Sequence, residues 1–257
     1  MPAAELVRFS LNGRVARVTL DRPPLHILDL PTLAALDVAL DRVDQTPEAV
    51  VAVIDATGGK AFSSGVDIAA HTPEKVEEML ARFHAVIRKI RALDCVTIAA
   101  VQGVALGGGF ELALACDMIV AEEGANFGVP EIWLGCFPPV AAAVLPRLMA
   151  PQKAAELLLS GEPITAREAA AYGLVNLVSK SGGLDAALDR YVTLFTEKSG
   201  AALRITKRAI RIGEEEPFAA ALSTIERLYL DELMRTEDAK EGIRAYLEKR
   251  EPKWKDR

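Results

Sequence analysis

The feature that most constrains the fold is a run of three glycines at residues 107–109, placed between two apolar segments. The first segment, Val96–Val101, is typical of a strand that is buried on both faces. The second becomes helical from about Phe110. Glycines permit a sharp turn and let a ligand approach bare backbone N–H groups, and a helix start adds unpaired donors. The segment predicts a strand–turn–helix unit of an α/β protein, either as an oxyanion-binding site or as a tight turn without a ligand.

Turn and cap residues mark further elements along the chain. Asn12-Gly13 between two alternating runs predicts a β-hairpin, and Asp29 predicts a helix N-terminus. Thr72-Pro73 predicts the start of the next helix, and Thr165 opens a capping-box pattern. After about Val178 the pattern is almost entirely helical. These patterns predict an α/β region followed by a helical C-terminal third.

Charge, cysteine content and hydropathy exclude several classes of protein. A net charge of −6 disfavours a general nucleic-acid binder, and Cys95, Cys116 and Cys136 have neither CxxC nor zinc-site spacing. We therefore expect buried thiols in a reducing compartment and no metal site. The most apolar stretch, 96–110, is shorter than the roughly 20 residues of a membrane span. Residues 1–5 lack the pattern of a signal peptide, so we expect a cytoplasmic enzyme.

Two single carboxylates lie in apolar surroundings close to glycines. Glu111 follows the glycine run inside an apolar helical segment, and Glu131 lies in the proline- and glycine-bounded segment 128–135. Taken singly, each is compatible with an exposed surface position, since acidic residues are mostly exposed. Buried without a cationic partner, each would have a raised pKa that suits acid–base chemistry.

Three segments of the chain, residues 61–68, 102–117 and 127–135, resemble the signature segments of the crotonase (enoyl-CoA hydratase/isomerase) family in order and spacing. The resemblance extends to residues 173–175 and 240–250. It implies the crotonase spiral fold, an α/β core of ββα units over residues 1–195, with a helical oligomerisation region over 196–257. It also implies an acyl-CoA thioester substrate, a homotrimer or a dimer of trimers, and no cofactor apart from the coenzyme A of the substrate.

The resemblance assigns roles to particular residues. Backbone N–H groups of Val66 and Gly108 would hold the thioester oxygen, Glu111 would activate water, and Glu131 would deliver a proton to Cα. The remaining residues expected to bind substrate are Ser64, Asp67, Ile68, Gly107, Trp133, Phe137, Pro138, Tyr246 and Lys249. Many hydratases of the family carry lysine where this chain has Pro24 and Ala69, which places those coenzyme A contacts in doubt.

The function implied by these residues is addition of water across an α,β-unsaturated acyl-CoA double bond. Residues 136–147 resemble a subgroup of the family that hydrates cyclohexa-1,5-diene-1-carbonyl-CoA, a ring for which Trp133, Phe137 and Pro138 could shape a wide pocket. The alternatives are a straight-chain enoyl-CoA hydratase of β-oxidation, a Δ3–Δ2 enoyl-CoA isomerase, and a non-catalytic acyl-CoA-binding or RNA-binding relative.

The three histidines form no catalytic triad pattern. His71 follows the first signature segment closely enough to contact a ligand, and His26 is a weaker candidate for such a contact. His84 lies off the apolar stripe of its helix, and we expect it at the surface.

Overall fold

The structure is a computed structural model that describes residues 5–257. Residues 1–4 lie outside the described residues. The expectation that residues 1–5 are not part of a signal peptide falls mostly on them. The strands are β1 (Val7–Asn12), β2 (Val15–Leu20), β3 (Val51–Ala56), β4 (Ala61–Ser63), β5 (Val96–Val101), β6 (Val104–Leu106), β7 (Met118–Glu122), β8 (Asn126–Gly128), β9 (Ile164–Thr165) and β10 (Leu177–Ser179). The helices are α1 (Leu30–Asp44), α2 (Val76–Ala92), α3 (Gly108–Leu114), α4 (Pro139–Leu148), α5 (Pro151–Ser160), α6 (Ala166–Ala171), α7 (Leu184–Thr196), α8 (Gly200–Glu215), α9 (Phe218–Asp231) and α10 (Glu237–Glu248).

The strands form two sheets, and the chain winds between them. The larger sheet has the order β1-β2-β3-β5-β7-β10, and the smaller has the order β4-β6-β8-β9. In the three successive pairs β3–β4, β5–β6 and β7–β8, the first strand joins the larger sheet and the second joins the smaller one. Corresponding strands pair in parallel from one unit to the next. Each repeat therefore stacks on the one before it, as in a spiral.

The central strands of the larger sheet, β3 and β5, are buried on both faces. In β3, Ala52 and Ile54 pack into the main core with α1 and α2, whereas Val51 and Val53 join a second core with α7. Because consecutive side chains of a strand point to opposite faces, a strand between two cores is apolar at most positions. This geometry accounts for the nearly continuous apolar run Val96–Val101, in which the buried Thr97 hydroxyl donates to the Asp117 carboxylate.

The sequence patterns locate most of these elements. Asp29 caps α1, accepting a hydrogen bond from the Thr32 N–H at 3.0 Å, and Thr165 forms the predicted capping box at α6.

The hairpin turn differs slightly from the prediction. The register pairs Asn12 with Val15, so the turn residues are Gly13, with φ +56°, and Arg14.

The start of α2 also differs from the prediction. The helix begins at Val76 rather than at Thr72-Pro73, because residues 72–75 form a separate turn. The Thr72 carbonyl accepts both the Lys75 N–H at 3.0 Å and the Val76 N–H at 2.9 Å. This turn ends the segment that runs from β4 to α2 and carries several of the predicted site residues.

Three helices, α8–α10, follow α7 and make up the C-terminal region. The expected boundary between residues 195 and 196 falls in the last turn of α7, whose Leu188 and Val192 pack into the second core. In the part of the chain that the structure describes, no helix has both the length and the apolar character needed to cross a bilayer.

Candidate active site

A cavity of about 400 Å³ lies where four segments of the spiral meet. Its walls come from the loop after β4, the first half of α2, the start of α3, and residues 130–139. The parallel stacking of β4, β6 and β8 places the ends of these strands side by side. Segments that are far apart in the sequence therefore converge on one cavity.

The start of α3 provides backbone N–H groups at the cavity wall. Gly107 precedes the helix with φ +52°, a conformation that favours glycine, and Gly108 is the first helical residue. The first N–H groups of a helix have no partner within the helix. A Cβ atom built on Gly108 would lie 3.4 Å from the Val66 nitrogen, so these two backbone segments are in close contact. The amides of Val66 and Gly108 therefore border the same part of the cavity.

Glu111 is a buried carboxyl on the first turns of α3. Only 3% of its surface is exposed, and its Oε1 accepts a hydrogen bond from the Ala141 N–H, in the first turn of α4, at 2.9 Å. Burial raises the pKa of Glu111 to about 7, partly opposed by the Ala141 N–H, and the negative charge of Glu131 raises it further. The carboxyl can therefore both accept and release a proton near neutral pH.

Glu131 enters the cavity from a short 3-10 helix, Pro130–Leu134. Its Oε1 packs directly over Gly107, where any side chain would collide with it. Among residues 5–257, its buried Oε2 has no hydrogen-bond partner. Burial is the largest influence on Glu131 and raises its pKa, while a backbone hydrogen bond and the positive charge of His71 act in the opposite direction.

Most of the predicted site residues lie together around this cavity. Besides the two glutamates, Val66 and Gly108, the predicted residues that line it are Ser64, Ile68, Gly107, Phe137 and Pro138. Asp67 is adjacent but does not line it, because its carboxylate caps the following 3-10 turn by accepting the Ala69 N–H at 3.1 Å. This geometry therefore does not favour a direct contact between the Asp67 carboxylate and the substrate.

Trp133 differs from its expected place. Its indole Nε1–H donates to the Ser160 carbonyl at 2.8 Å, and its ring packs over Gly161 instead of lining the cavity. Trp133 as a whole is 60% exposed. Its bond to the end of α5 turns the ring away from the cavity lining, and its expected contact with substrate stays a prediction.

Tyr246 and Lys249 lie at the end of α10 and do not line the cavity of their own chain. Tyr246 is 84% exposed, and Lys249 ends the helix in the left-handed conformation with φ +54°. Their expected contact with coenzyme A bound to a neighbouring subunit stays a prediction.

Several lining residues were not predicted as such. The apolar stripe of α2 was not predicted to belong to a site, yet its residues Val76, Met79, Leu80 and Phe83 form an apolar wall of the cavity. The helix α4, whose first turn donates to Glu111, was also missed, although Pro138-Pro139 fits the proline preference of a helix start. An apolar stripe cannot by itself distinguish side chains facing a core from those facing a cavity.

The positions of the cysteine and histidine side chains agree only partly with the predictions. Cys95 and Cys116 are buried as expected, but Cys136 is half-buried and lines the cavity. His71 also lines it. His84 is half-buried beside Phe83 rather than exposed, so that expectation was wrong. The side chain of His26 is buried in the fold, 2.8 Å from the Thr57 carbonyl.

The arrangement combines backbone N–H donors, two carboxyls with raised pKa values and an apolar wall. Donors placed around a developing oxyanion stabilise it most strongly where water is excluded. Two carboxyls on one cavity can exchange protons with a substrate held between them. The site therefore suits proton transfer next to a carbonyl group that becomes enolate-like.

Known proteins are similar to this chain over nearly its full length. The family model for enoyl-CoA hydratase/isomerase matches residues 10–257. The cyclohexa-1,5-dienecarbonyl-CoA hydratase of Thauera aromatica is 35% identical over 246 residues, covering 96% of this chain and 95% of that protein. The carnitinyl-CoA dehydratase of Salmonella paratyphi A is 36% identical over 263 residues, covering 99% and 100% respectively.

Solved structures show the same architecture. The crystal structure of an enoyl-CoA hydratase from Bacillus anthracis superposes with a TM-score of 0.93 at 30% identity, covering 98% of this chain and 100% of that chain. This likeness confirms the predicted crotonase fold, a mixed α/β core with parallel strands and a helical C-terminal region.

Proposed function

The chain belongs to the enoyl-CoA hydratase/isomerase family, and we propose that it adds water across the α,β-double bond of an acyl-CoA thioester. The observation that carries this proposal is that Glu111 and Glu131 line one cavity together with the backbone of Val66 and Gly108. A hydratase needs two proton-transfer groups, one for the attacking water and one for Cα. A double-bond isomerase needs only one well-placed carboxylate.

In the proposed reaction, the N–H groups of Val66 and Gly108 donate to the thioester oxygen. This polarises the conjugated double bond, makes Cβ electrophilic and stabilises the enolate-like transition state. Glu111 accepts a proton from water as its oxygen attacks Cβ, and Glu131 delivers a proton to Cα. The coenzyme A belongs to the substrate, and these steps require no separate cofactor.

The active form of the site carries one proton on the pair of glutamates. Because each carboxylate influences the other, the pair titrates in two steps that belong to both residues. We expect kcat to be highest between these two steps, where one carboxyl is protonated and the other ionised. The proposal therefore predicts a bell-shaped dependence of kcat on pH.

For the acyl group, we propose a cyclic dienoyl thioester as the substrate class, with a straight-chain enoyl thioester as the alternative. The similarity to the Thauera aromatica hydratase supports the cyclic substrate. So does the apolar wall that α2, Phe137 and Pro138 supply to the cavity. Buried apolar side chains favour a hydrocarbon ring, because transfer of apolar surface out of water is favourable.

The test is a panel of straight-chain, branched and cyclic enoyl-CoA thioesters, assayed in ¹⁸O-labelled water. Hydration incorporates one solvent oxygen into the product, whereas isomerisation incorporates none. Glu111→Gln and Glu131→Gln should each lower kcat by about 100-fold or more, since general acid–base catalysis contributes factors of this order. Turnover without ¹⁸O incorporation, or wild-type turnover in either variant, would contradict the proposal.

A further inference from the structure

The cavity contains a titratable side chain that the proposed reaction does not use. His71 follows the 3-10 turn Ile68–Ala70 and lines the cavity on the side of the loop after β4. Its Nδ1 lies 3.2 Å from the Asp67 carbonyl oxygen, and its own backbone N–H donates to the Ile68 carbonyl at 3.0 Å. A carbonyl oxygen can only accept, so Nδ1 carries the hydrogen. The Nδ1–H bond holds the ring in place, and this bond is kept in the positively charged form of the ring, in which Nε2 also carries a hydrogen.

Glu131 lies in the same cavity with one oxygen unsatisfied. In the part of the chain that the structure describes, no group forms a hydrogen bond with the buried Glu131 Oε2. A positive charge on His71 favours the ionised form of this carboxyl and opposes the effect of burial. An unsatisfied carboxylate in an apolar cavity is sensitive to any charge nearby, because little water screens it.

Few other titratable groups line the cavity and could change the ionisation of Glu131. From α3, Glu111 faces the cavity, and from the segment after Glu131 the Cys136 thiol does so. The α2 wall contributes only the apolar side chains of Val76, Met79, Leu80 and Phe83. The Asp67 carboxylate, next to the histidine, is turned to the Ala69 N–H. Among the described residues that line the cavity, His71 is thus the one that can carry a positive charge.

We propose that His71 is a positioning residue that controls how one proton is shared between Glu131 and Glu111. The inference rests on the proposed hydratase function for its consequence in catalysis. An imidazole ring can carry a positive charge, and such a charge in the cavity favours the ionised form of Glu131. With a positive His71, the pair reaches its singly protonated state at lower pH than it would without that charge.

The test removes the charge while keeping the hydrogen bond that holds the side chain. In His71→Asn, the amide nitrogen can replace Nδ1 and donate to the Asp67 carbonyl, but the side chain cannot become positive. His71→Gln serves as a second variant should the first be unstable. The matched control is His84→Gln, since His84 is half-buried on α2 and does not line the cavity.

Two measurements are made on each variant. Protein labelled with ¹³C at the glutamate carboxyl carbons gives the titration of Glu131 directly by NMR, with Glu131→Gln used to assign its signal. The dependence of kcat and KM on pH is measured with the best substrate of the thioester panel. In His71→Asn, we expect the Glu131 titration and the kcat profile to move to higher pH by about half a unit or more, somewhat less than the roughly 1–3 units that a directly adjacent opposite charge causes. We expect KM to change little and His84→Gln to behave as the wild type.

The outcomes separate this inference from the proposed function. An unchanged Glu131 titration in both His71 variants overturns it, as does a raised KM with an unmoved pH profile, which would assign His71 to substrate binding alone. If the wild type hydrates no thioester of the panel, the proposed function fails, and a moved NMR titration still supports the link between His71 and Glu131. If His84→Gln shifts the Glu131 titration as much as His71→Asn does, the shift does not come from a charge in the cavity and the inference is wrong.

Discussion

At the scale of single residues, the burial of Glu111 has a consequence for stability. Burial raises its pKa from 4.5 to about 7, so the folded protein holds this proton more tightly than the unfolded chain does. The stability that this provides is complete below pH 4.5 and is lost as the pH rises to about 7. A difference of this size corresponds to about 3 kcal/mol in the free energy of unfolding.

Glu111→Gln should therefore stabilise the protein at neutral pH. Glutamine keeps an oxygen to accept the Ala141 N–H and has no charge to bury. Relative to wild type, we expect the free energy of unfolding of the variant to increase by about 2–3 kcal/mol between pH 4.5 and pH 8. Urea denaturation at a series of pH values measures this. A difference between the two proteins that stays constant with pH would mean that Glu111 titrates normally.

Gly107 is a second residue whose role follows from its contacts. It has φ +52°, and a side chain there would collide with the carboxyl of Glu131. We expect Gly107→Ala to displace this carboxyl and to lower kcat by at least about 10-fold, because small misplacements of catalytic groups are costly. Steady-state kinetics on the variant provides the test. Gly124→Ala is the matched control, since open space surrounds Gly124 and its φ is not positive.

The sequence predicted which residues lie near the cavity better than it predicted where their side chains point. Glu111 and Glu131 stood out as single carboxylates next to glycines, and both line the cavity. Trp133 was expected there too, but its direction depends on the Ser160 carbonyl, 27 residues further along the chain. No local pattern contains such a partner. Side-chain direction therefore had to come from the tertiary structure.

At the scale of secondary-structure elements, α2 shows the same limit. Its apolar spacing predicted a helix with one buried stripe, which the structure confirms at Met79, Phe83 and Ile87. Some side chains of this stripe pack into the core and others line the cavity. Both groups have the same helical spacing, so the spacing does not tell them apart. The strand Val96–Val101 was more predictable, because burial on both faces leaves a nearly continuous apolar run. The short strands β4, β6 and β8 were not predicted.

The junction between α8, α10 and the C-terminal segment depends on one buried carboxylate. Asp238 is 1% exposed and accepts hydrogen bonds from the Ser199 Oγ–H at 2.6 Å, the Lys255 N–H at 2.7 Å and the Asp256 N–H at 2.9 Å. Asp238→Ala leaves the buried Ser199 Oγ–H and the part-buried Lys255 and Asp256 N–H groups without their acceptor. We expect a loss of about 3 kcal/mol or more in the free energy of unfolding, since each such donor costs about 1–3 kcal/mol.

Denaturant unfolding, followed by circular dichroism, measures this loss. Asp231→Ala is the control, because its carboxylate is 61% exposed and, among residues 5–257, pairs only with the exposed Arg235. Such a surface pair contributes a few tenths of a kcal/mol. Equal effects of the two substitutions would show that the Asp238 network does not hold the C-terminal helices.

At the scale of the whole molecule, the C-terminal region exposes several large apolar side chains. The large apolar side chains exposed on α9 and α10 are Phe218, Leu222, Tyr229, Leu230, Ile243, Tyr246 and Leu247. A groove of about 1240 Å³ between α4 and α8 adds further apolar surface. Contiguous exposed apolar surface marks interaction sites in soluble proteins. The expected homotrimer or dimer of trimers would cover it.

We therefore expect the protein to sediment as an oligomer, well above the 27.6 kDa of one chain. A charged side chain in the covered surface should break the assembly, since an unpaired buried charge is costly. Leu230→Glu combined with Leu247→Glu should shift the sedimenting mass towards that of one chain, as measured by analytical ultracentrifugation. Leu159→Glu on α5 is the control, because Leu159 is 73% exposed but lies outside the C-terminal helices. An unchanged mass in the double variant would place the subunit contacts on another face, and a monomeric wild type would remove the expected route by which Tyr246 and Lys249 reach a neighbouring site.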